Sequence, residues 1–398
     1  MSADALSEAA IVDLASRLIR IPSVNPSIAP DEAHGETAVA SFAAEWLNDH
    51  GVKAWLEEAA PGRPNAVGEL ARGEGPTLIL CAHLDTVGTA GMPRAFEPEV
   101  RDGRLHGRGS NDMKGSAAAV MCAAASLVAD PGYRGRLLLA LVADEEYTSV
   151  GADDFVRRHT GDACILTEVS SGDLVLAHKG FVWAELVVRG RAAHGSAWDL
   201  GVSAITRMAR IITALDRFDR ETLRRRTHPL VGPASMHCAM VEGGAGLSTY
   251  APECRLRVEC RTLPGESPEQ VIGELAAVVR EAGEEAEITR LFDRLPLDGQ
   301  ADSAIARCVR DAATRVTGRT PRDQGVGYWM DAAIFAAAGI PTVDYGPHGE
   351  GAHETVEWAD VASLVSCARV LAECGRSFAR YAGVSSASKV SSSQRPST

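Results

Sequence analysis

A basic excess is missing from this chain: 40 Lys and Arg face 53 Asp and Glu, a formal net charge of −13, with the acidic surplus spread along its length. A surface that grips nucleic acid through its phosphates is therefore not expected. Disulfide spacing is missing too. The nine cysteines, at 81, 122, 164, 238, 254, 260, 308, 367 and 374, are odd in number, form no C-x-x-C pair and in several cases sit inside apolar runs. They read as buried, reduced thiols of a cytosolic protein. No uninterrupted apolar run reaches the roughly 18 residues of a membrane span. The opening Met1-Ser-Ala-Asp-Ala-Leu-Ser-Glu-Ala-Ala has neither a basic n-region nor an apolar h-region, so secretion is not expected and the localisation reads as cytoplasmic. What is present is 398 residues with 45% hydrophobic and 23% charged side chains. That is enough for a substantial core, and the length favours a two-domain enzyme over a small binding module.

Ala10, Ile11, Leu14, Leu18 and Ile19 recur at helical spacing within residues 7–20, and Pro22, Pro26 and Pro30 then stop the helix. A second helix is expected over 36–50. Three short apolar runs, 77–82, 137–142 and 163–166, have the length of strands buried on both faces, with helices near 116–128 and 149–159 between them. This alternation predicts an α/β domain with a mostly parallel sheet. After Gly180 the pattern changes. Strand 181–189, helix 202–215, strands 234–241 and 254–261, and helix 268–282 make a βαββαβ-like block. Beyond about 295 the α/β pattern returns with a helix, strand 341–345 and a last helix over 360–378. The reading is one domain from 1–180 with 295–384, an inserted domain over 181–294, and a Ser-rich disordered tail over 385–398.

The chemistry lies in an ordered series of His and carboxylates at the ends of these runs. In Cys81-Ala-His83-Leu-Asp85 the two polar residues project to the same side of a strand end. Asp85 can share a metal with His83 or hydrogen-bond its distal nitrogen. An ordinary strand-end His satisfied by its neighbour is an equal alternative. Gly107-Arg-Gly-Ser-Asn-Asp112-Met-Lys-Gly115 places a carboxylate just before an Ala-rich helix, where Asp112 can also serve as the N-cap. As a phosphate cradle the segment is weak, for neither G-x-x-x-x-G-K-[ST] nor a complete G-x-G-x-x-G is present. Asp144-Glu145-Glu146 follows an all-apolar strand, and adjacent carboxylates there are costly unless a cation sits beside them. A solvated acidic loop is the plainer account. Glu168 ends another strand, and Gly346-Pro-His348-Gly-Glu-Gly-Ala-His353-Glu354 follows the last one. Ligands of open α/β sheets gather beyond the carboxyl ends of the strands, so these segments can meet in one crevice. Imidazole and carboxylate without thiolate suit a catalytic zinc site or a pair of them.

In this order, His83-Leu-Asp85, Gly-Ser-Asn-Asp112-Met-Lys-Gly, Asp-Glu145-Glu146, Thr-Glu168 and Glu-Gly-Ala-His353 resemble one enzyme family. It is the dinuclear zinc amidohydrolase and metallopeptidase family of acetylornithine deacetylase, succinyl-diaminopimelate desuccinylase, aminoacylase and glutamate carboxypeptidase. The wording is closest to acetylornithine deacetylase-like members, and the likeness covers all but the Ser-rich tail. It implies a zinc-peptidase-like three-layer α/β catalytic domain interrupted by an α+β ferredoxin-like dimerisation domain, in a homodimer formed through residues 181–294. Gly190-Arg-Ala-Ala-His194-Gly-Ser and Cys260-Arg261-Thr-Leu-Pro-Gly-Glu carry the resemblance within that block.

Carried across, the resemblance implies two Zn2+ per chain, with Co2+ or Mn2+ as chemically admissible replacements. Asp112 bridges the ions, His83 and Glu168 complete one, and Glu146 and His353 the other. His348, five residues before His353, is the alternative last ligand. Asp85 orients His83, and Glu145 is the general base toward the bridging water. His194 reaches the partner's site to stabilise the oxyanion, with a turn His as its plainer role. Arg261 holds a substrate carboxylate or is a plain surface strand Arg. Tyr328 shapes the side-chain pocket or packs in the core with Trp329. The loop Leu247-Ser-Thr-Tyr250-Ala-Pro252 lacks the Asn that several relatives carry there. The implied reaction is amide hydrolysis of a small N-acyl amino acid. A dipeptidase or carboxypeptidase using the same metals, and a fold-retaining protein without turnover, are the alternatives.

Overall fold

The computed structural model describes residues 4–390, with no side-chain description for 383–390. Numbering only the strands of the central sheet, without its short edge strands Leu297–Asp298 and Asp323–Val326, and those of the inserted block, the chain begins with α1 (Glu8–Ile19), α2 (Thr37–Asp49), β1 (Lys53–Ala60), β2 (Arg63–Arg72) and β3 (Thr77–His83). It continues through α3 (Lys114–Val128), β4 (Gly135–Val142), α4 (Val150–Arg158), β5 (Ala163–Leu166) and β6 (Leu174–His178). The inserted block is β7 (Gly180–Arg189), α5 (Ala204–Glu221), β8 (Ser235–Gly243), β9 (Glu253–Thr262), α6 (Pro268–Glu281) and β10 (Glu287–Arg294). The chain then forms α7 (Ala304–Thr317), α8 (Ala332–Ala337), β11 (Thr342–Asp344) and α9 (Val361–Val390).

Local chemistry sets several of these boundaries. The hydroxyls of Ser7, Ser203, Ser267 and Ser303 accept backbone N–H bonds at the starts of α1, α5, α6 and α7, satisfying donors the first turn leaves open. α7 stops at Gly318, whose φ of +73° suits a left-handed cap. Of the segment read as a tail, 385–390 belong to α9, and 391–398 lie outside the described residues.

Two compact units result: one of residues up to 176 with 299–324 and 330 onward, the other of 177–298 with 325–329. In the first, the sheet order is β1-β2-β4-β3-β5-β11-β6. Its centre, β4-β3-β5-β11, is parallel, whereas β1-β2, β2-β4 and β11-β6 are antiparallel. Parallel strands are covered on both faces, which is why β3, β4 and β5 read as unbroken apolar runs. Leu78, Leu80 and Leu139 enter one core with α1, α2, α3, α7 and α9. α4 and α8 meet each other through Phe155 and Phe335, whose ring centroids are 5.8 Å apart. The β1–β2 hairpin and β6 have no counterpart among the strands read from sequence, and β10, the last strand of the βαββαβ pattern, has no range there. β1 and β10 are largely half-exposed or exposed and so lack the apolar run that marks the centre.

The second unit is an antiparallel sheet, β8-β9-β7-β10, backed by α5 and α6. This is the ferredoxin-like order. β8 forms one edge and is exposed over most of its length. Eight cysteines are buried and unpaired, but Cys238 on β8 is exposed, correcting the expectation of nine buried thiols. Its strand is an edge with one uncovered face. Among the described residues no helix is long and apolar enough to cross a membrane.

Candidate active site

The carboxyl ends of β3, β4, β5 and β11 lie side by side, because His83 pairs with Val142, Cys81 with Leu166 and Asp344 with Leu166. The residues that follow each strand therefore emerge at one edge of the sheet. There the structure gathers His83, Asp112, Glu145, Glu146, Glu168 and His353, all within the first unit.

Asp112 is central. Its Oδ1 lies 2.9 Å from His83 Nε2 and its Oδ2 lies 3.3 Å from His353 Nε2. Glu168 Oε1 is 3.4 Å from His83 Nε2, and Glu146 Oε2 is 3.0 Å from His353 Nε2. The donors thus fall into two sets, one on each Asp112 oxygen. Asp112 is not the N-cap of α3, since Met113 stands there and no side chain caps the helix. His348 is turned elsewhere, with Nδ1 3.1 Å from Ser171 Oγ and its ring edge-on to Trp358.

Asp85 lies behind His83, its Oδ1 3.5 Å from His83 Nδ1, and collects donors. Its carboxylate accepts the N–H of Glu145 at 3.1 Å, the N–H of Glu146 at 3.2 Å and Asn25 Nδ2 at 2.8 Å. Asn25 Nδ2 also donates to Asp144 at 3.0 Å, and Arg63 Nη2 reaches the same Asp144 oxygen at 2.8 Å. Arg63 Nε binds Glu36 at 2.6 Å. Asp144 has a φ of +69°, and its side chain accepts Thr148 Oγ1 at 2.6 Å. A short polar residue tolerates that left-handed backbone and closes the turn that presents Glu145 and Glu146.

Burial and crowding set the protonation of the cluster. Burial pushes Glu145 well above the usual carboxylate range, and Asp331, Glu168 and Glu146 push it further against the pull of His83. Burial and Asp112 raise Glu146 to about 7 and raise Glu168 as well. Burial also acts to raise Asp112, but its bonds to His353 and His83 outweigh it and hold the carboxyl far down. Its bonds to Asp112 and Glu146 lift His353 to about 10. Carboxylates crowded with imidazoles in one cleft call for positive charge. Glu146 Oε1 is buried without a hydrogen-bond partner. Oxygen and imidazole donors with an orphaned carboxylate oxygen fit a divalent cation.

The other residues singled out in the sequence lie in the second unit. His194 is exposed and its Nδ1 is 2.8 Å from Ser196 Oγ, while Ser203 caps α5. Arg261 pairs with Glu259 at 2.7 Å. Tyr328 is 48% exposed, which corrects the core-packed alternative. Trp329 packs edge-on to Phe181 and His178. Sequence reasoning missed Asn25, Glu36, Arg63, Arg108 and Glu357. It named the Asp-Glu-Glu motif but gave Asp144 no part in it.

Comparison with known proteins agrees in kind. The chain is 29% identical over 393 residues to acetylornithine deacetylase of Myxococcus xanthus, covering 95% of this chain and 97% of that protein. The aminopeptidase PepT structure from Bacillus cereus has the same fold, with a TM-score of 0.78 and 21% identity over 94% of this chain and 99% of that one. So does the Bacillus subtilis YXEP protein, described as a dinuclear metal-binding peptidase, with a TM-score of 0.70 and 15% identity over 94% and 98%. The sequence profile of peptidase family M20/M25/M40 matches residues 79–376. The chain belongs to that family and is a hydrolase of its metal-dependent amidohydrolase and peptidase kind.

Proposed function

We propose that the protein hydrolyses the amide bond of a small N-acyl amino acid. The observation that carries this reading is Asp112, whose two carboxylate oxygens each face a different imidazole, each imidazole in turn lying beside a different glutamate. Such a carboxylate suits a bridge between two divalent cations, for which zinc is the first choice and cobalt or manganese the alternatives. His83 and Glu168 would hold one ion, and Glu146 and His353 the other. Bound divalent ions supply Lewis acidity and make water acidic enough to attack at neutral pH.

The remaining chemistry belongs to side chains. Glu145 stands beside His83 and Glu168. It takes the proton from the attacking water and returns it to the leaving amine nitrogen. Asp85 holds His83 and, through the N–H groups of Glu145 and Glu146, the turn that carries the base. Arg261 would pair with the substrate carboxylate, and Tyr328 would border the side-chain pocket. His194 would act on the oxyanion in a partner's site. A homodimer through the second unit is part of this reading. It is supported by the edge strand β8, which exposes Met240 and Val241, and by the exposed Trp198 and Leu247.

The name of the M. xanthus relative favours an N-acetyl substrate. A dipeptidase would use the same donors. Release of free amine from N-acetyl, N-succinyl and N-formyl amino acids and from dipeptides, with zinc-loaded and chelated protein, separates the two. Metal-dependent cleavage of an N-acyl amino acid is the expected result. Cleavage of dipeptides alone would replace it with the peptidase reading, and silence with two ions bound would end both.

A further inference from the structure

Arg108 and Glu357 form an ion pair sealed from solvent, with side chains 1% and 0% exposed and Arg108 Nη1 2.6 Å from Glu357 Oε2. The pair's other bonds go to segments that carry proposed ligands. Glu357 Oε2 accepts the N–H of Gly109 at 3.0 Å, and Oε1 accepts those of Asn111 at 2.9 Å and Asp112 at 3.0 Å. Arg108 donates to the carbonyls of Gly88 at 3.1 Å, Thr89 at 3.3 Å and Glu354 at 2.9 Å. One pair thus fastens together the loop that follows His83 and Asp85, the loop that ends on Asp112, and the segment that begins at His353.

A buried ion pair is poor value for stability alone, because desolvation offsets the attraction, and apolar side chains of similar volume hold a core as well. Apolar groups could not collect three backbone donors on one side and three carbonyls on the other. We propose that Arg108 and Glu357 are positioning residues that set the spacing of Asp112 and His353, and with it the affinity for the cation those two share with Glu146. This rests on the dinuclear reading given above.

Glu357→Gln is close in shape and wrong in pattern. Every group around the carboxylate is a donor, so whichever way the amide turns, its NH2 meets an N–H. Metal-free wild type and E357Q are titrated with Zn2+ against a chromophoric chelator, at a temperature where circular dichroism shows both folded. In E357Q the second equivalent should weaken roughly 10- to 100-fold and the first, which does not use His353, clearly less, with kcat lowered and KM little changed. Two wild-type affinities in E357Q, or equal weakening of both equivalents in a folded protein, overturn the proposal while leaving the dinuclear reading intact. Fewer than two equivalents in the wild type overturn that reading, and the proposal with it. If E357Q does not fold, Arg108→Lys serves instead. It keeps the charge and the three backbone donors to Glu357 but loses the fork to Gly88, Thr89 and Glu354. The same selective loss is expected there, and wild-type affinities in R108K overturn the proposal.

Discussion

His83 Nδ1 lies 3.0 Å from the main-chain carbonyl of Asp85. A carbonyl can only accept, so Nδ1 carries a proton, and Nε2 faces the Asp112 and Glu168 carboxylates, where a cation held by them would take the place of its proton. Asp85 does this with its backbone while its carboxylate gathers the N–H groups of Glu145 and Glu146 and the amide of Asn25. Asp85→Asn puts an NH2 among those donors. We expect kcat/KM to fall roughly 10- to 100-fold with substrate KM little changed. Steady-state kinetics beside metal analysis checks this, and an unaltered kcat would remove Asp85 from the mechanism.

Glu145→Gln preserves size and removes the base. The variant should keep its full metal content and lose about 10²- to 10⁴-fold in kcat. Inductively coupled plasma analysis and amine release on the same sample decide it. Unchanged turnover in E145Q would sink the proposed proton transfer.

Removing the metal should destabilise the first unit. Stripped of cations, the cleft holds Asp112, Glu145, Glu146 and Glu168 close together, and several of them must take up protons to stay buried. Chelation is expected to lower the unfolding temperature in calorimetry, and added Zn2+ to restore it. His353→Ala should show a smaller rise on adding Zn2+ than the wild type.

Asp173 supplies a pH test away from the cleft. Burial acts to raise its carboxyl, but bonds from Arg322 and Arg319 and the N–H of Arg322 win and hold it below its ordinary 3.8. The folded state therefore binds the proton less well than the unfolded chain. The stabilisation is complete above the ordinary value and fades as pH falls through the lowered one. Asp173→Asn should cost about 1–3 kcal/mol at pH 7. In urea unfolding the gap between D173N and wild type should hold from about pH 7 to 5 and narrow below about 4. A gap that widens on acidification would contradict this sign.

The parallel centre of the first unit was legible because burial on both faces leaves a mark every residue long: Leu78 to Ala82, Leu137 to Val142 and Ala163 to Leu166 are apolar without a break. Parallel strands also end at one edge of the sheet, so a His or carboxylate after each run points to a common crevice before any distance is known. Serine hydroxyls cap the starts of α1, α5, α6 and α7, a signal in the sequence that apolar spacing alone leaves unused. The half-exposed β1 and β10 carried no such mark. The supports of the site were decided only in three dimensions. Glu357 takes the N–H of Asp112 from 245 residues away, and Asn25 ties Asp85 to Asp144 across 60 and 119 residues. A single carboxylate or amide has no period and no neighbouring pattern to announce it. Its partners are backbone donors present at nearly every position, and only the folded chain selects which of them it meets.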